Sequence, residues 1–159
     1  MPGTPGSYAL YLRCDRSARV SVGALGRLRV EPGAYLYIGS AFGPGGLRAR
    51  LSRHAARKKI KRWHIDYIRP QMSLAGAWIS TSPIRLEHDW AAKVLGLSLA
   101  TVPLPGFGSS DCGCPSHLVH FRDWAAGAAC VSDALEVTSG HEVGRVTAGT
   151  LRRLARIAS

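Results

Sequence analysis

Apolar and polar residues alternate most clearly in AYLYIGS, residues 34–40. A period of two predicts a strand, with Tyr35, Tyr37 and Gly39 on one face and Leu36 and Ile38 on the other. The aliphatic face is expected to meet the core, which leaves the tyrosines on a more polar face. SYALYLRC (7–14) predicts another strand, rich in Tyr and Leu. Residues 18–33 read as a short strand, a glycine-containing turn, a second short stretch and a turn at Pro32–Gly33. LAGAWIS (74–80) predicts a central strand and HLVHF (117–121) a last one.

The period changes after the breaker GPGG (43–46). Leu47, Leu51 and Ala55 form a thin apolar stripe, which predicts a helix from about Leu47 to Lys59. Arg50, His54 and Arg57 or Lys58 run along a different stripe. Residues 62–70 form a short helix or an extended piece ending at Pro70. Residues 83–97 predict a helix, with Pro83 near its start and Gly96 near its end. Residues 102–116 are loop, and residues 123–159 hold an Ala-rich segment and a basic helix near 147–157. Residues 1–6, rich in Gly and Pro, are expected to be a disordered end. The element order implies an α+β fold, a small central and mainly antiparallel sheet flanked by helices.

Length and composition narrow this picture. A chain of 159 residues with 46% apolar content suits one globular core. Its apolar runs fall short of the ~18–20 residues that a membrane span needs. The N-terminus lacks a basic segment followed by a long apolar one, so a cytoplasmic protein without a membrane partner is expected. The four cysteines, Cys14, Cys112, Cys114 and Cys130, are then expected to be reduced.

Charge points to a partner. The net charge is +11, from 21 Lys and Arg against 10 Asp and Glu. Much of the surplus lies between Leu47 and His64, which holds Arg48, Arg50, Arg53, Arg57, Lys58, Lys59, Lys61 and Arg62 without one acid. Like charges at helical spacing repel by a few tenths of a kcal/mol, roughly, unless something compensates them. Phosphates would do so, and nucleic acid is the expected partner. The helix start after Gly45–Gly46 is expected to offer free N–H groups to an anion. A bare basic face is the plainer alternative.

An ordered set of residues makes the reading specific. GSY (6–8) on a first strand is followed by YIG (37–39) on a later one. A helix carrying Arg50 and His54 comes next, and Glu87 lies on a further helix. This set resembles the GIY-YIG nuclease family. The runs GAYLYIGSA, GGLRARLSRH, RWHIDYI and GFGSSDCGCPSHLVHF are similar to its DUF123-type branch, and together they cover residues 6–121. Ser7 stands where the family has an apolar residue, and residues 9–36 separate the half-motifs, a longer spacing than the usual hairpin. The resemblance implies a nuclease domain over 7–122, with 123–159 as an extension bearing the basic helix. It also implies a divalent-metal-dependent endonuclease that hydrolyses phosphodiester bonds, DNA before RNA, with a hint of DNA repair; the cytoplasm, with nucleoid association as an option, is the expected place.

The roles carried over are these. Tyr8 is the general base, which requires a phenol of pKa about 10 to be lowered by nearby cations. Tyr37 orients water or phosphate. Arg50 offers its planar fork to phosphate oxygens. His54, one turn later, touches phosphate or helps to activate Tyr8. Glu87 holds the metal, Mg²⁺ or Mn²⁺, a hard cation that keeps most of its waters. Gly39, Ser40, Arg48, Arg53, Arg57, Lys58, Lys59, Lys61 and Arg62 contact the nucleic acid, and a side chain at Gly39 is expected to crowd the substrate. His64, Asp66, Cys112 and His117 are candidate supports. Each tyrosine is alternatively a packed aromatic, and Tyr11 and Tyr35 compete for the same roles. Glu87 is alternatively a solvated carboxylate.

DCGCPSHLVH (111–120) gathers Asp111, Cys112, Cys114, His117 and His120. Its ligand spacing is not that of a standard finger, and a tight Cys-x-Cys pair chelates awkwardly, so zinc is not expected. A non-catalytic, basic nucleic-acid-binding module is the rival reading of the chain. A zinc-stabilised protein-interaction module is a third.

Overall fold

The computed structural model describes residues 3–157, apart from the side chains of residues 138 and 139. Met1 and Pro2 of the expected disordered end, and the last two residues of the expected extension, lie outside the described residues. A five-stranded sheet forms the centre. Its strands are β1 (Ser7–Cys14), β4 (Gly33–Ser40), β5 (Ser73–Ser80), β6 (Leu118–Phe121) and β7 (Gly144–Thr147), in the order β6-β4-β1-β5-β7. Every pairing is antiparallel. The fold is α+β, as the element order implied. The middle strand is β1, whose near-continuous apolar run suits burial on both faces. Strands β2 (Ala18–Val22) and β3 (Gly26–Val30) form a separate hairpin, which accounts for the long spacing between the half-motifs.

Helices cover both faces. On one side lie α1 (Gly46–Ala55), α2 (His64–Ile68) and α5 (Ala148–Ile157), which pack Leu47, Leu51, Ile65, Leu151 and Leu154 against Tyr8, Leu10, Leu12, Tyr35 and Tyr37. On the other lie α3 (Glu87–Leu95) and α4 (Trp124–Ser139), whose Trp90, Val94, Val131 and Leu135 meet Ala9, Tyr11, Leu36, Ile38 and Trp78. The tyrosine face of β4 is therefore core and not polar surface. Tyr35 and Tyr37 are only 1% and 7% exposed. None of the helices among the described residues is long and apolar enough to cross a membrane.

Several expected boundaries move. Helix α1 stops at Ala55 because Lys59 folds back and its ammonium bonds the Arg53 carbonyl at 3.0 Å, capping the last turn. Arg57, Lys58, Lys59, Lys61 and Arg62 thus lie beyond the helix. Helix α3 begins at Glu87, four residues after Pro83. Residues 3–6 are held in place: Leu47 N–H donates to the Thr4 carbonyl at 2.9 Å and Ala41 N–H to the Gly6 carbonyl at 2.7 Å. A Cβ on Gly46 would run into the Gly3 and Thr4 carbonyls. The start of α1 is consequently covered by this segment, and the expected free N–H groups there are partly used. The boundary expected at 122 falls within one packed unit, since α4 packs on α3 and Tyr11 bonds the Trp124 carbonyl at 2.7 Å. Strand β7, unforeseen, extends the sheet beyond β5.

Candidate functional site

Cross-strand register builds the first part of the site. Tyr8 on β1 sits directly opposite Gly39 on β4. A Cβ at residue 39 would come within 2.5 Å of the Tyr8 hydroxyl oxygen. The glycine therefore makes room for a tyrosine ring, where crowding of substrate was expected. Tyr37 lies two residues earlier on the same face.

Helix α1 supplies the second part. His54 is fully buried, and its Nε2 lies 2.8 Å from the Tyr8 hydroxyl. Burial, then the positive charges of Lys59, Arg50 and Arg69, hold its pKa well below the ordinary histidine value, so the imidazole is neutral. The Tyr8 phenol is pushed well above 10, chiefly by burial and by Tyr37, with Arg50 opposing. Burial raises Tyr37 as well, with Glu87 adding to it. Arg50, one turn before His54, places its guanidinium carbon 4.4 Å from the centre of the Trp63 ring. Trp63 also packs on His54, with ring centres 5.5 Å apart.

The start of α3 supplies the third part. The Ser7 hydroxyl accepts from the Leu86 N–H at 2.9 Å, which ties β1 to the residue before Glu87. Ser7 thus anchors the start of the helix that carries the carboxylate. Glu87 is partly buried, which raises its pKa, but hydrogen bonding from His117 and Ser40 outweighs this and keeps it ionised. His117 Nδ1 is 3.2 Å from Glu87 Oε1.

Tyr8, Tyr37, Gly39, Ser40, Arg50, Glu87, Cys112 and His117 line one polar cleft of about 320 Å³. Trp63, Arg85, His88 and Asp111 line it too. Arg85 and His88 escaped sequence reasoning. The only signal was their position beside Glu87, and neither falls in the basic run. The ionised Glu87 carboxylate facing a polar cleft of this size suits a hydrated divalent cation, so the residues present fit Mg²⁺ or Mn²⁺ with Glu87 as a protein ligand.

Other expected residues lie elsewhere. Asp66 is buried and pairs with Arg53 at 2.5 Å and Lys59 at 2.8 Å, and it accepts the Arg62 N–H at 2.9 Å. Burial pushes this carboxyl up, but Lys59 and the Arg62 and Trp63 amides hold it below the usual value. The acid missing from the basic run is thus supplied from just beyond it. Arg48, Arg53 and Lys59 border a hollow between α1 and α5, outside the cleft. Arg57 lies beside Arg69, Lys61 sits over the Tyr67 ring, and Lys58 is exposed. His64 accepts the Gly108 N–H at 2.9 Å and so anchors the 102–116 loop. At Gly108 φ is +72° and a Cβ would meet the Tyr37 ring at 2.9 Å. Tyr35 bonds the Glu31 backbone, and Tyr11 the Trp124 carbonyl, so neither competes for the cleft. His120 bonds the Pro32 carbonyl at 3.0 Å instead of joining the cysteines.

No curated protein and no solved structure matches the chain. A family match covers residues 7–139, from β1 through α4, including every residue placed in the cleft. The chain belongs to the family described as domain of unknown function DUF123.

Proposed function

We propose that this protein is a divalent-metal-dependent endonuclease of the GIY-YIG type, acting on DNA in the cytoplasm and serving DNA repair. The observation that carries the reading is the convergence of Tyr8, Tyr37, Arg50 and Glu87 on one polar cleft. These are the residues that the GIY-YIG resemblance assigns to chemistry, drawn from two strands and two helices.

The cleft's own residues suggest how the work is divided. Arg50, held over the Trp63 ring, presents its outer donors to a phosphate. The buried, neutral phenol of Tyr8 is a poor base by itself. Its hydrogen bond to neutral His54 offers a route: the phenol takes a proton from water as Nε2 takes the phenol's own. Tyr37 and Arg85 flank the phosphate. A bound Mg²⁺ would supply charge relief at the phosphoryl oxygens, held by Glu87.

The test is cleavage of end-labelled duplex, branched and single-stranded DNA with Mg²⁺ or Mn²⁺. Arg50→Ala and Glu87→Ala are each expected to slow cleavage by about 10²–10³-fold. Full activity in both variants would sink the proposal. The raised tyrosine pKa values favour one rival, a binding module without chemistry. Salt-sensitive DNA binding, with no metal-dependent cleavage of any of these substrates, would establish that rival instead.

A further inference from the structure

The loop wall of the cleft carries four side chains that the proposed nuclease chemistry does not use as a set. His88, Cys112, Cys114 and His117 bring one ligand atom each to within 4.8 Å of all the others. From these we infer that the protein holds a structural zinc ion in an N₂S₂ site, closing the 107–117 loop onto the start of α3.

Donor chemistry points to the metal. Two thiolates and two imidazoles select zinc over hard cations such as Mg²⁺. Four protein donors leave no position for substrate, which marks a structural site. Zn–S and Zn–N distances of about 2.3 and 2.0–2.1 Å imply ligand separations of roughly 3.3–3.8 Å in a tetrahedron. Cys112 Sγ and His117 Nε2 are already 3.5 Å apart. Closing the widest separation takes about 1 Å of side-chain movement, and His88 is exposed and free to turn.

The objection raised by spacing is met by the fold. Cys112 and Cys114 need not chelate alone, because His88 arrives from α3 and His117 from the foot of β6. The loop is prepared on both flanks: His117 N–H donates to the Phe107 carbonyl at 2.8 Å and Gly106 N–H to the Pro115 carbonyl at 2.7 Å. Gly113, where an added Cβ would meet nothing within 4 Å, lies at the turn between the cysteines.

His117 links this site to the cleft. With Nε2 on zinc its proton must sit on Nδ1, the atom that faces Glu87 Oε1. Carboxylate–histidine–zinc relays of this kind fix both partners. Zinc would therefore orient the Glu87 carboxylate without touching substrate.

The test uses the full chain, purified without chelator, and does not depend on cleavage. Metal analysis is expected to find one zinc per chain in wild type and in the control Cys130→Ser. Cys112→Ser and Cys114→Ser should each retain less than a tenth of it. Replacement by Co²⁺ should give the thiolate-to-cobalt absorption and visible bands of a tetrahedral site, with the visible bands altered in His88→Ala, whose exposed position spares the fold. Chelation should lower the wild-type melting temperature, and Zn²⁺ but not Mg²⁺ should restore it. Folded wild-type protein that takes up no stoichiometric zinc from a zinc-supplemented buffer would overturn the inference. So would a cobalt spectrum that is identical in wild type, Cys114→Ser and His88→Ala.

Discussion

The two walls of the cleft are built by different physics. On the sheet side, Tyr8, Tyr37 and His54 are 3%, 7% and 0% exposed, and their rings pack on one another and on Trp63. On the loop side, His88 is exposed, Cys112 and Cys114 are half-buried, and only His117 is fully inside. Core packing holds the first wall, where burial of each ring contributes to folding and sets its orientation at the same time. The second wall is built of turns and polar side chains, with Phe107 as its one fully buried large apolar anchor among the described residues of the loop. Such a wall needs hydrogen bonds or a metal to hold its shape. The cleft thus pairs a face held by ring packing with a face held largely by turns and backbone hydrogen bonds.

The hardest blow to the sheet wall comes from behind it. Asp66 is buried with Arg53 and Lys59, and its backbone acceptances hold Trp63 under Arg50. Asp66→Ala leaves two cations uncompensated and is expected to cost about 3–5 kcal/mol of stability in chemical denaturation. A loss below 1 kcal/mol would mean that packing alone holds this wall. Next is Gly39→Ala, whose added methyl meets the Tyr8 hydroxyl. Overpacking of this kind costs about 1–3 kcal/mol, and displacement of Tyr8 from His54 should remove cleavage along with it. Normal activity in a destabilised Gly39→Ala would separate Tyr8 placement from function.

A pH titration sharpens the contrast further. Unfolded histidine takes up a proton near pH 6.5, roughly its unperturbed value. Buried His54 does not, because desolvation and neighbouring cations lower its pKa. The unfolded state then binds more protons, so stability is present above about pH 6.5 and lost as pH falls through that value. The loss should be smaller in His54→Gln, and an unchanged pH profile in that variant would remove His54 as its cause. On the loop wall, chelation should speed amide exchange over residues 109–117 while β1 and β4 stay protected. Uniform loosening of both walls would erase the distinction between them. The smallest effect belongs to the surface: Lys58→Ala should reduce the salt slope of DNA binding by about one without touching stability.

Much of the sheet wall was legible in the chain because its rules are local. Strand alternation paired Tyr37 with Gly39, helical spacing paired Arg50 with His54, and the ordered GSY, YIG and Glu87 marked a single site. What covers a face is not local. The tyrosine face of β4 read as polar, yet α1 and α2 bury it, and of the two partners expected for His54, phosphate or Tyr8, its buried imidazole meets Tyr8.

The sequence by itself determined the alternation of β1 and β4, the mixed α+β order and the basic surplus, because periodicity and composition are properties of neighbours along the chain. Only the tertiary structure decided that Asp66 neutralises the basic run, that Ser7 anchors the start of α3, and that His88 joins Cys112, Cys114 and His117. Those last contacts join residues 24 to 79 positions apart, or depend on which way a loop turns. Their geometry exists only once the sheet register and the helix packing have closed the chain on itself.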